Sequence, residues 1–242
     1  MSPMEGVRRR INQAAPAAAR SWRRARRRAR ALRGDRAFAR HDLVGPGDFW
    51  QEKRAWQIAF LKDRCGLLPA HRFLDIGCGT LRGGIPIIEY LEPEHYTGLE
   101  VRPHVLDEAR EELELYPAAA AKRPNLVLST GFPGLPDLGQ FDKAWGFSVL
   151  IHMADPIARE CFEYVARALS PGGVFHANVH IGPPANAEGG AGFPVVTRPE
   201  SFYQGLAEAA GLRVEDLGTL ASLGHSFGLR GDSHHMLRVT RP

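Results

Sequence analysis

The chain has 242 residues, of which 44% are hydrophobic and 24% are charged, as in an ordinary soluble globular protein. No apolar run approaches the roughly 20 residues that a membrane-spanning helix needs, and no secretory apolar block follows the basic start of the chain. The three cysteines are scattered, which predicts neither a disulfide framework nor a zinc site and favours a cytoplasmic protein.

Positive charge is concentrated at the start of the chain. Residues 1–40 contain 13 arginines and two acids, a net charge of +11, so residues 41–242 carry −7 of the overall +4. The sequence therefore predicts a basic, Arg-rich N-terminal tail at 1–40 and one acidic domain at 41–242. Three interpretations of the tail stay open: a solvated segment, a contact with an anionic membrane surface, or RNA binding. Trp22 and Leu32, at helical spacing beside the arginines, favour the membrane contact and a peripheral location.

The predicted domain opens with a helix. Gly45-Pro46-Gly47 marks the boundary, and Asp48 is predicted to cap a helix that runs to about Cys65. Trp56 on this helix is interpreted as a core residue in preference to a substrate contact, because large aromatic side chains are mostly buried.

A strand, a glycine turn and a second helix follow. The apolar run Phe73–Ile76 predicts a short buried strand, and the isoleucine-rich stretch at 85–91 predicts a helix packed on the sheet. Gly77 and Gly79 between them let the chain turn sharply and let a ligand approach the backbone. Asp75, placed just before the turn, would repel a pyrophosphate but suits a ligand with a cationic end.

The next predicted strand, His95–Glu100, ends in a second acid. In nucleotide-binding α/β folds, an acid at the tip of the second strand accepts hydrogen bonds from ribose hydroxyls. A dinucleotide site would need a third glycine at position 82, where this chain has Arg82. The two acids and the two-glycine turn therefore favour another nucleoside ligand over a dinucleotide.

Helices and strands are predicted to alternate through the rest of the chain. Helices are predicted at 103–115, 155–169 and 199–210, and strands at 125–129, 174–179, 212–217 and 235–239. The stretch 141–153 is predicted to hold the fourth strand and its exit loop. Asp155 is predicted to cap its helix, 170–173 to be a turn, and 181–198 to be a long loop of the kind that often serves as a lid or a binding loop. His176 and His180, about 13 Å apart on one strand face, are interpreted as hydrogen-bonded polar residues at the rim of the site.

Three stretches resemble the class I S-adenosylmethionine-dependent methyltransferases: Asp75-x-Gly77-x-Gly79 with Glu100 25 residues after Asp75, the segment 141–153, and Leu-Ser-Pro-Gly-Gly-Val-Phe at 169–175. Over residues 48–242 the resemblance implies a doubly wound, seven-stranded, Rossmann-like α/β sheet. Its strand order would be 3-2-1-4-5-7-6, with the last strand antiparallel and helices on both faces. Leu81 stands where the family often has a third glycine, so the turn is predicted to be shifted or lengthened.

The resemblance implies S-adenosylmethionine as the cofactor and no metal. Its contacts are assigned to Asp75, Gly77, Cys78, Gly79 and Glu100. No acid follows the third strand, so the adenine is predicted to meet the backbone near Gly131 and the ring of Phe132. Phe147, after the fourth strand, is assigned to the same site.

The implied reaction is O- or N-methylation of a small-molecule, saccharide or lipid-linked acceptor. His152 follows the fourth strand, where the acceptor should approach, and is the candidate general base, with a structural role as its alternative. The chain lacks the N-P-P-Y, D-P-P-Y and Pro-Cys signatures of nucleobase methylation. Two alternatives stay open: an RNA methyltransferase that uses the basic tail, and a non-catalytic S-adenosylmethionine-binding protein.

Overall fold

The structure, a computed structural model, describes Ala25 and residues 35–45, 47, 49–188, 193–228 and 230–241. The chain divides into two compact units, residues 1–50 and residues 51–242. The predicted cap Asp48, the arginines at 8–10 and 23–30, and the tail residues Trp22 and Leu32 lie outside the described residues. No helix in the described part combines the length and apolarity needed to cross a bilayer.

The described part of the first unit begins with a short capped helix. Helix α1 (Arg36–His41) follows Asp35, whose side chain accepts a hydrogen bond from the Phe38 amide at 3.0 Å. A 3-10 turn at Asp42–Val44 comes next. Helix α1 crosses residue 40, where the basic tail is predicted to end.

Nine strands are described in the second unit. They are β1 (Phe73–Ile76), β2 (Tyr96–Glu100), β3 (Asn125–Leu128), β4 (Phe141–Gly146), β5 (Leu169–Val179), β6 (Ala185–Glu188), β7 (Pro194–Thr197), β8 (Arg213–Thr219) and β9 (His235–Thr240). Seven of them form one sheet in the order β3-β2-β1-β4-β5-β9-β8, and β9 is antiparallel to both of its neighbours. When only the seven strands of this sheet are numbered in chain order, β8 and β9 become the sixth and seventh strands and the order is 3-2-1-4-5-7-6. The predicted fold class is therefore confirmed.

Helices cover both faces of this sheet. They are α2 (Trp50–Asp63), α3 (Gly84–Tyr90), α4 (Pro103–Glu114), α5 (Pro117–Ala120), α6 (Asp155–Ala168) and α7 (Glu200–Ala209). Successive side chains of a strand point to opposite faces. Phe73 therefore packs into the cluster formed with α2, α3 and α4, whereas Leu74 packs into the cluster formed with α6 and α7. The two cores hold β1 between them, so the residues that follow β1 emerge at a rigid sheet edge.

The predicted long loop at 181–198 contains a hairpin, so this prediction was wrong in part. Strands β6 and β7 pair antiparallel, and the structure does not describe residues 189–192 between them. Arg198 anchors the hairpin by donating to the carbonyl oxygens of Ala185 and Thr197 and to Asn186 Oδ1. All four β6 side chains are exposed, so β6 lacks the apolar alternation by which a strand is predicted.

Two local predictions on the α6–β5 segment were wrong. Asp155 is the first residue of α6 and does not cap it, because its carboxylate forms an ion pair with the Arg198 guanidinium at 2.6 Å. The stretch predicted as a turn at 170–173 belongs to β5. Gly172 there has φ +78°, and the pairing with β4 shifts register between Phe141 and Lys143, which marks a bulge.

His176 was predicted to be a hydrogen-bonded rim residue, and this prediction was wrong. Its side chain is buried, and Nδ1 has no hydrogen-bond partner among the described residues. Burial lowers the pKa of His176 to about 3, with further lowering by Lys143 and Arg238. The ring therefore stays neutral and fills the core beside Trp145, with which it is in register.

Candidate functional site

The turn after β1 is held in a conformation that only glycine adopts easily. Gly77 has φ +74° and Gly79 has φ +59°. The Cys78 amide donates to the Leu99 carbonyl at 2.9 Å, which fixes the turn to β2. A Cβ atom on Gly77 would lie 2.5 Å from Val149 Cγ2, so the turn touches the segment that follows β4. Glycine at position 77 is therefore required both by the backbone angle and by the space.

The turn is longer than a strand-to-helix turn with three glycines, because α3 does not begin until Gly84. Leu81, in place of the third glycine, has φ +55° and is fully buried. A left-handed conformation costs a non-glycine residue roughly 1–2 kcal/mol. The buried leucine side chain offsets this cost by packing into the cluster with α2 and α3. The lengthened turn agrees with the prediction made from Leu81.

Helix α2 lies against the turn. Arg54 Nε donates to the Arg82 carbonyl at 2.7 Å, and its guanidinium pairs with the buried Glu112 of α4 at 2.8 Å. Gln57 fills the space beside Gly83, where a Cβ atom would overlap its side chain. The turn is thus braced by two helices as well as by the sheet.

Asp75 is buried at the end of β1, beside the turn. It accepts a hydrogen bond from the Tyr96 hydroxyl at 2.6 Å. Burial raises the pKa of Asp75 to about 7; the Tyr96 hydrogen bond lowers it, and the nearby Glu100 carboxylate raises it further. Asp75 therefore changes its charge near neutral pH, and binding of a cation beside it would favour the charged form.

Glu100 ends β2 with its carboxylate almost fully buried. Its Oε1 atom accepts from the Val101 and Arg102 amides at 2.9 and 3.0 Å. The Arg102 guanidinium donates to both carboxylate oxygens, at 3.0 Å to Oε1 and 3.1 Å to Oε2. Sequence analysis did not single out Arg102. Its position two residues after Glu100 was the feature of the sequence that could have indicated this ion pair.

The structure brings most of the predicted site residues to one edge of the sheet. Asp75, Gly77, Cys78, Gly79 and Glu100 lie at the carboxyl ends of the adjacent strands β1 and β2. The Cys78 thiol is buried against Gly98, whose missing side chain leaves room for it. Burial raises the pKa of this thiol well above its usual value. Phe132, after β3, packs on Tyr164 of α6 with ring centroids 5.6 Å apart. Both belong to the core cluster formed with α6 and α7, whereas Cys78 belongs to the cluster formed with α2, α3 and α4.

The segment after β4 carries the other two predicted residues. Phe147 stacks on Trp145 with ring centroids 5.4 Å apart. His152 ends a 3-10 turn at Leu150–His152, and its Nδ1 lies 2.7 Å from the Pro194 carbonyl oxygen. Ser148 between them has φ +59°, and its amide is held by Asn178 Oδ1 of β5. Backbone strain of this kind tends to occur at functional sites.

Sequence analysis missed a group of side chains beside Phe147. His225 lies within 5.7 Å of the Phe147 ring and 4.9 Å of the Trp56 ring, measured between centroids. Its Nδ1 pairs with Asp232 at 2.9 Å. No sequence pattern joins the stretch 224–228 to Trp56, which is half-buried and packs against the core cluster formed with α2 and α3.

Comparisons with known proteins agree with this arrangement. Residues 74–175 match a family model described as a methyltransferase domain. The structure resembles magnesium protoporphyrin IX methyltransferase from Synechocystis PCC 6803, at 17% identity and a TM-score of 0.57, over 80% of this chain and 78% of that one. It also resembles the glycopeptide N-methyltransferase MtfA, at 17% identity and a TM-score of 0.60, over 78% and 90% of the two chains. A third similar structure is the CcbJ methyltransferase from Streptomyces caelestis, at 16% identity and a TM-score of 0.58, over 77% and 88%.

At these identities the structural likeness establishes the fold, and the family model identifies residues 74–175 as a methyltransferase domain. The matched segment runs from β1 to β5 and so contains the turn, both acids and the segment after β4. Residues 74–175 therefore form a methyltransferase domain, and the strand order of the sheet is the one that the resemblance to the class I S-adenosylmethionine-dependent methyltransferases implies.

Proposed function

We propose that this enzyme transfers the methyl group of S-adenosylmethionine to an oxygen or nitrogen atom of a small-molecule, saccharide or lipid-linked acceptor. The observation that carries the proposal is the contact between the turn after β1 and the segment after β4, at Gly77 and Val149. A cofactor on the turn and an acceptor beside Phe147 and His152 would be neighbours. A sulfonium methyl is already a strong electrophile, so alignment and exclusion of water are the protein's main contributions.

The residues at the turn fit this cofactor. We propose that the ribose hydroxyls donate to Glu100, whose Oε2 accepts from Arg102 and has capacity for a second donor. The cationic amino acid end would lie towards Asp75, and the backbone of Gly77, Cys78 and Gly79 would allow close approach. MtfA has been solved with S-adenosylmethionine, S-adenosylhomocysteine and sinefungin.

Two aromatic residues are proposed to border the cofactor. Phe132 follows β3 and Phe147 follows β4, and these strands flank the β2–β1 pair in the sheet. Phe132 would then stand on the adenine side and Phe147 on the donor side. This placement follows from the strand order, since parallel strands end at the same edge of the sheet.

Cofactor binding is expected to strengthen as the pH rises through about 7. The raised pKa of Asp75 leaves it partly protonated at neutral pH, whereas a cationic ligand end favours the carboxylate, so binding should release a proton. Calorimetry with S-adenosylhomocysteine at pH 7, in two buffers of different ionisation enthalpy, measures that release. An Asp75→Asn variant keeps an acceptor for the Tyr96 hydroxyl and should bind the ligand without releasing a proton. Unchanged proton release by this variant would contradict the placement of the cationic end beside Asp75.

His152 is proposed to face the acceptor. Because a carbonyl oxygen only accepts, the contact with Pro194 places the proton of the neutral ring on Nδ1 and leaves the lone pair on Nε2. Burial lowers the pKa of His152, the Pro194 contact raises it, and Arg102 lowers it. The ring should therefore be neutral at pH 7, where Nε2 can accept a hydrogen bond, or a proton, from the acceptor.

The proposed function is tested by labelling. The protein is mixed with methyl-labelled S-adenosylmethionine and a cell extract separated into small-molecule, lipid, saccharide and RNA fractions. We expect label in one of the first three classes. Label in RNA would establish the RNA methyltransferase alternative, and cofactor binding without any labelled product would establish the non-catalytic one.

The Arg-rich tail is proposed to hold the enzyme at anionic lipid. The tail carries +11 and the rest of the chain carries −7, which supports this proposal. Each basic residue near such a surface contributes about 1 kcal/mol to the free energy of membrane binding. Sedimentation with anionic liposomes, before and after replacement of the arginines at 23, 24 and 26–28 by glutamine, tests it. Full-length protein that ignores the liposomes in low salt but binds RNA would favour the RNA interpretation.

A further inference from the structure

A cavity of about 510 Å³ lies where the base of the β6–β7 hairpin meets the first residues of helices α6 and α7. Its volume falls in the range of roughly 300–1,000 Å³ that small-molecule sites usually have. Asn186 and Ser201 of its lining are exposed, so the cavity opens to solvent and a ligand can enter it. The lining residues that decide its chemistry are Asp155, Asn186, Arg198, Pro199, Ser201 and Phe202.

The cavity is at the same edge of the sheet as the glycine turn. Helix α6 comes after β4 and the hairpin comes after β5, so both leave the carboxyl ends of parallel strands, where such sheets bind ligands. Strand β7 connects the cavity with the segment after β4. The Pro194 carbonyl oxygen at one end of β7 lies 2.7 Å from His152 Nδ1, and Arg198 follows the other end. At about 3.3 Å per residue, the four steps from Pro194 to Arg198 span roughly 13 Å.

The charges at the cavity are paired within the protein. Arg198 Nε donates to Asp155 Oδ1 at 2.8 Å, and Arg198 Nη2 lies 2.6 Å from the same oxygen. The remaining donors of this guanidinium are directed to Asn186 Oδ1 and to the carbonyl oxygens of Ala185 and Thr197. All of its N–H groups are therefore occupied, and the ion pair has no net charge. A neutral ligand suits this lining better than an ionic one, because a charged group that leaves water needs an opposite charge.

Hydrogen-bonding atoms of both kinds remain for a ligand. Among the described residues, none donates to Asp155 Oδ2, and neither Asn186 Nδ2 nor the Ser201 hydroxyl has a partner. Helix α7 has no side-chain cap, which leaves amides of its first turn as further donors. The Phe202 ring lies beside these atoms and adds apolar surface. A hydroxyl group both donates and accepts, so a ligand with several hydroxyls around an apolar ring satisfies this set.

We propose that this cavity binds a neutral sugar ring of the acceptor, and that the acceptor is a glycoside or oligosaccharide whose methylated atom lies on another part of the molecule. This inference rests on the proposed function and narrows its acceptor class. A pyranose has hydroxyl groups around its rim and C–H groups on its two faces. The hydroxyls bond to Asp155, Asn186 and Ser201, and a C–H face packs on Phe202.

The length of β7 sets a minimum size for the acceptor. The sugar ring lies beside Arg198, whereas the methyl group is proposed to be transferred beside Phe147 and His152. Because roughly 13 Å separates the two ends of β7, the acceptor carries at least one further unit between the bound ring and the reacting atom. The cavity thus selects the acceptor without touching the reacting atoms. Blocking it should raise KM for the acceptor and leave kcat and cofactor affinity unchanged.

Two substitutions fill the cavity from opposite walls without removing a hydrogen bond that holds the hairpin. Ser201→Phe adds a ring from α7, and Ala185→Trp adds one from β6, where Arg198 bonds to the backbone carbonyl of Ala185. Glu208→Phe is the matched control, because Glu208 is exposed on α7 and lies outside the cavity lining. A melting curve and calorimetry with S-adenosylhomocysteine show that each variant folds and binds the cofactor.

Sugar binding is measured on the full chain by saturation-transfer difference NMR with S-adenosylhomocysteine present. The probes are the methyl glycosides of glucose, galactose, mannose and rhamnose, with glucuronate and glucosamine as charged counterparts. At least one neutral glycoside should bind, and it should bind better than either charged sugar. Ser201→Phe and Ala185→Trp should each weaken that binding at least about tenfold, and Ser201→Ala should weaken it roughly 2- to 10-fold through one lost hydrogen bond. Glu208→Phe should leave it unchanged.

Any of three binding results would overturn the inference. The wild type binds none of the four neutral glycosides, or it binds a charged sugar in preference to all of them, or Ser201→Phe and Ala185→Trp bind the glycoside as the wild type does. A labelled product without a sugar, in the fractionation experiment above, would also overturn it and would leave the proposed function in place. Absence of S-adenosylhomocysteine binding by the wild type would instead overturn the proposed function on which the inference rests.

Discussion

Replacing Gly77 by alanine is expected to destabilise the fold by roughly 2–5 kcal/mol and to abolish measurable cofactor binding. Two effects add: alanine is strained at φ +74°, and its Cβ would lie 2.5 Å from Val149 Cγ2. Relief of that overlap must move the turn or the segment after β4, and both are proposed to hold the reactants. Urea unfolding and calorimetry with S-adenosylhomocysteine measure the two consequences.

Gly172→Ala is the matched control for the strain that alanine suffers at a positive φ. Gly172 has φ +78°, and an added Cβ there meets no atom within 4 Å. The Gly172→Ala substitution should lower the free energy of unfolding by only about 1–2 kcal/mol and leave cofactor binding unchanged. A double-mutant cycle of Gly77→Ala with Val149→Ala should show a favourable coupling, because the smaller side chain removes the overlap. Equal destabilisation by Gly77→Ala and Gly172→Ala, with no coupling to Val149, would contradict the packing argument.

Replacing Glu100 by glutamine is expected to weaken cofactor binding roughly 10- to 100-fold, since hydrogen bonds to a charged group are worth about 1.5–3 kcal/mol. The carboxylate now accepts from two amides and from Arg102, all of which need an acceptor. The amide of glutamine presents a donor on one side, so it cannot satisfy Arg102 and a ribose hydroxyl together. Titration with S-adenosylhomocysteine measures the loss.

Glu89→Gln is the control for the change in net charge. Glu89 lies exposed on α3, close in sequence to the turn, so its variant should bind the cofactor as the wild type does. A Glu100→Gln variant with an unchanged dissociation constant would show that the ribose does not bind at the end of β2.

Local patterns predicted the half of the fold that carries the proposed cofactor site. The apolar run Phe73–Ile76, the glycines after it and the acid at Glu100 all lie within about thirty residues, and each constrains its own backbone or its immediate neighbour. The central strands could be ordered because a parallel sheet with alternating helices has few possible topologies. Leu81 was identified as a departure from the family pattern, and its positive φ shows how the chain accommodates it.

The surroundings of Phe147 and the β6–β7 hairpin could not be predicted in the same way. The contact of Trp56 with His225 joins residues 169 positions apart, and no spacing rule connects them. The β6–β7 hairpin has exposed side chains and depends on Arg198, which lies beyond both strands. His176 reads as an ordinary polar position of an alternating strand, yet its ring is buried in the folded protein. Each of these depends on long-range packing.

A crystal structure with S-adenosylhomocysteine tests the central claim most directly, since that claim places the cofactor at the carboxyl ends of β1 and β2. The account predicts ribose hydroxyls within hydrogen-bond distance of Glu100, the homocysteine end beside Asp75 and the Gly77–Gly79 turn, and the sulfur facing Phe147. Density for S-adenosylhomocysteine elsewhere, with Glu100 still bonded only to Arg102 and the two amides, would contradict it.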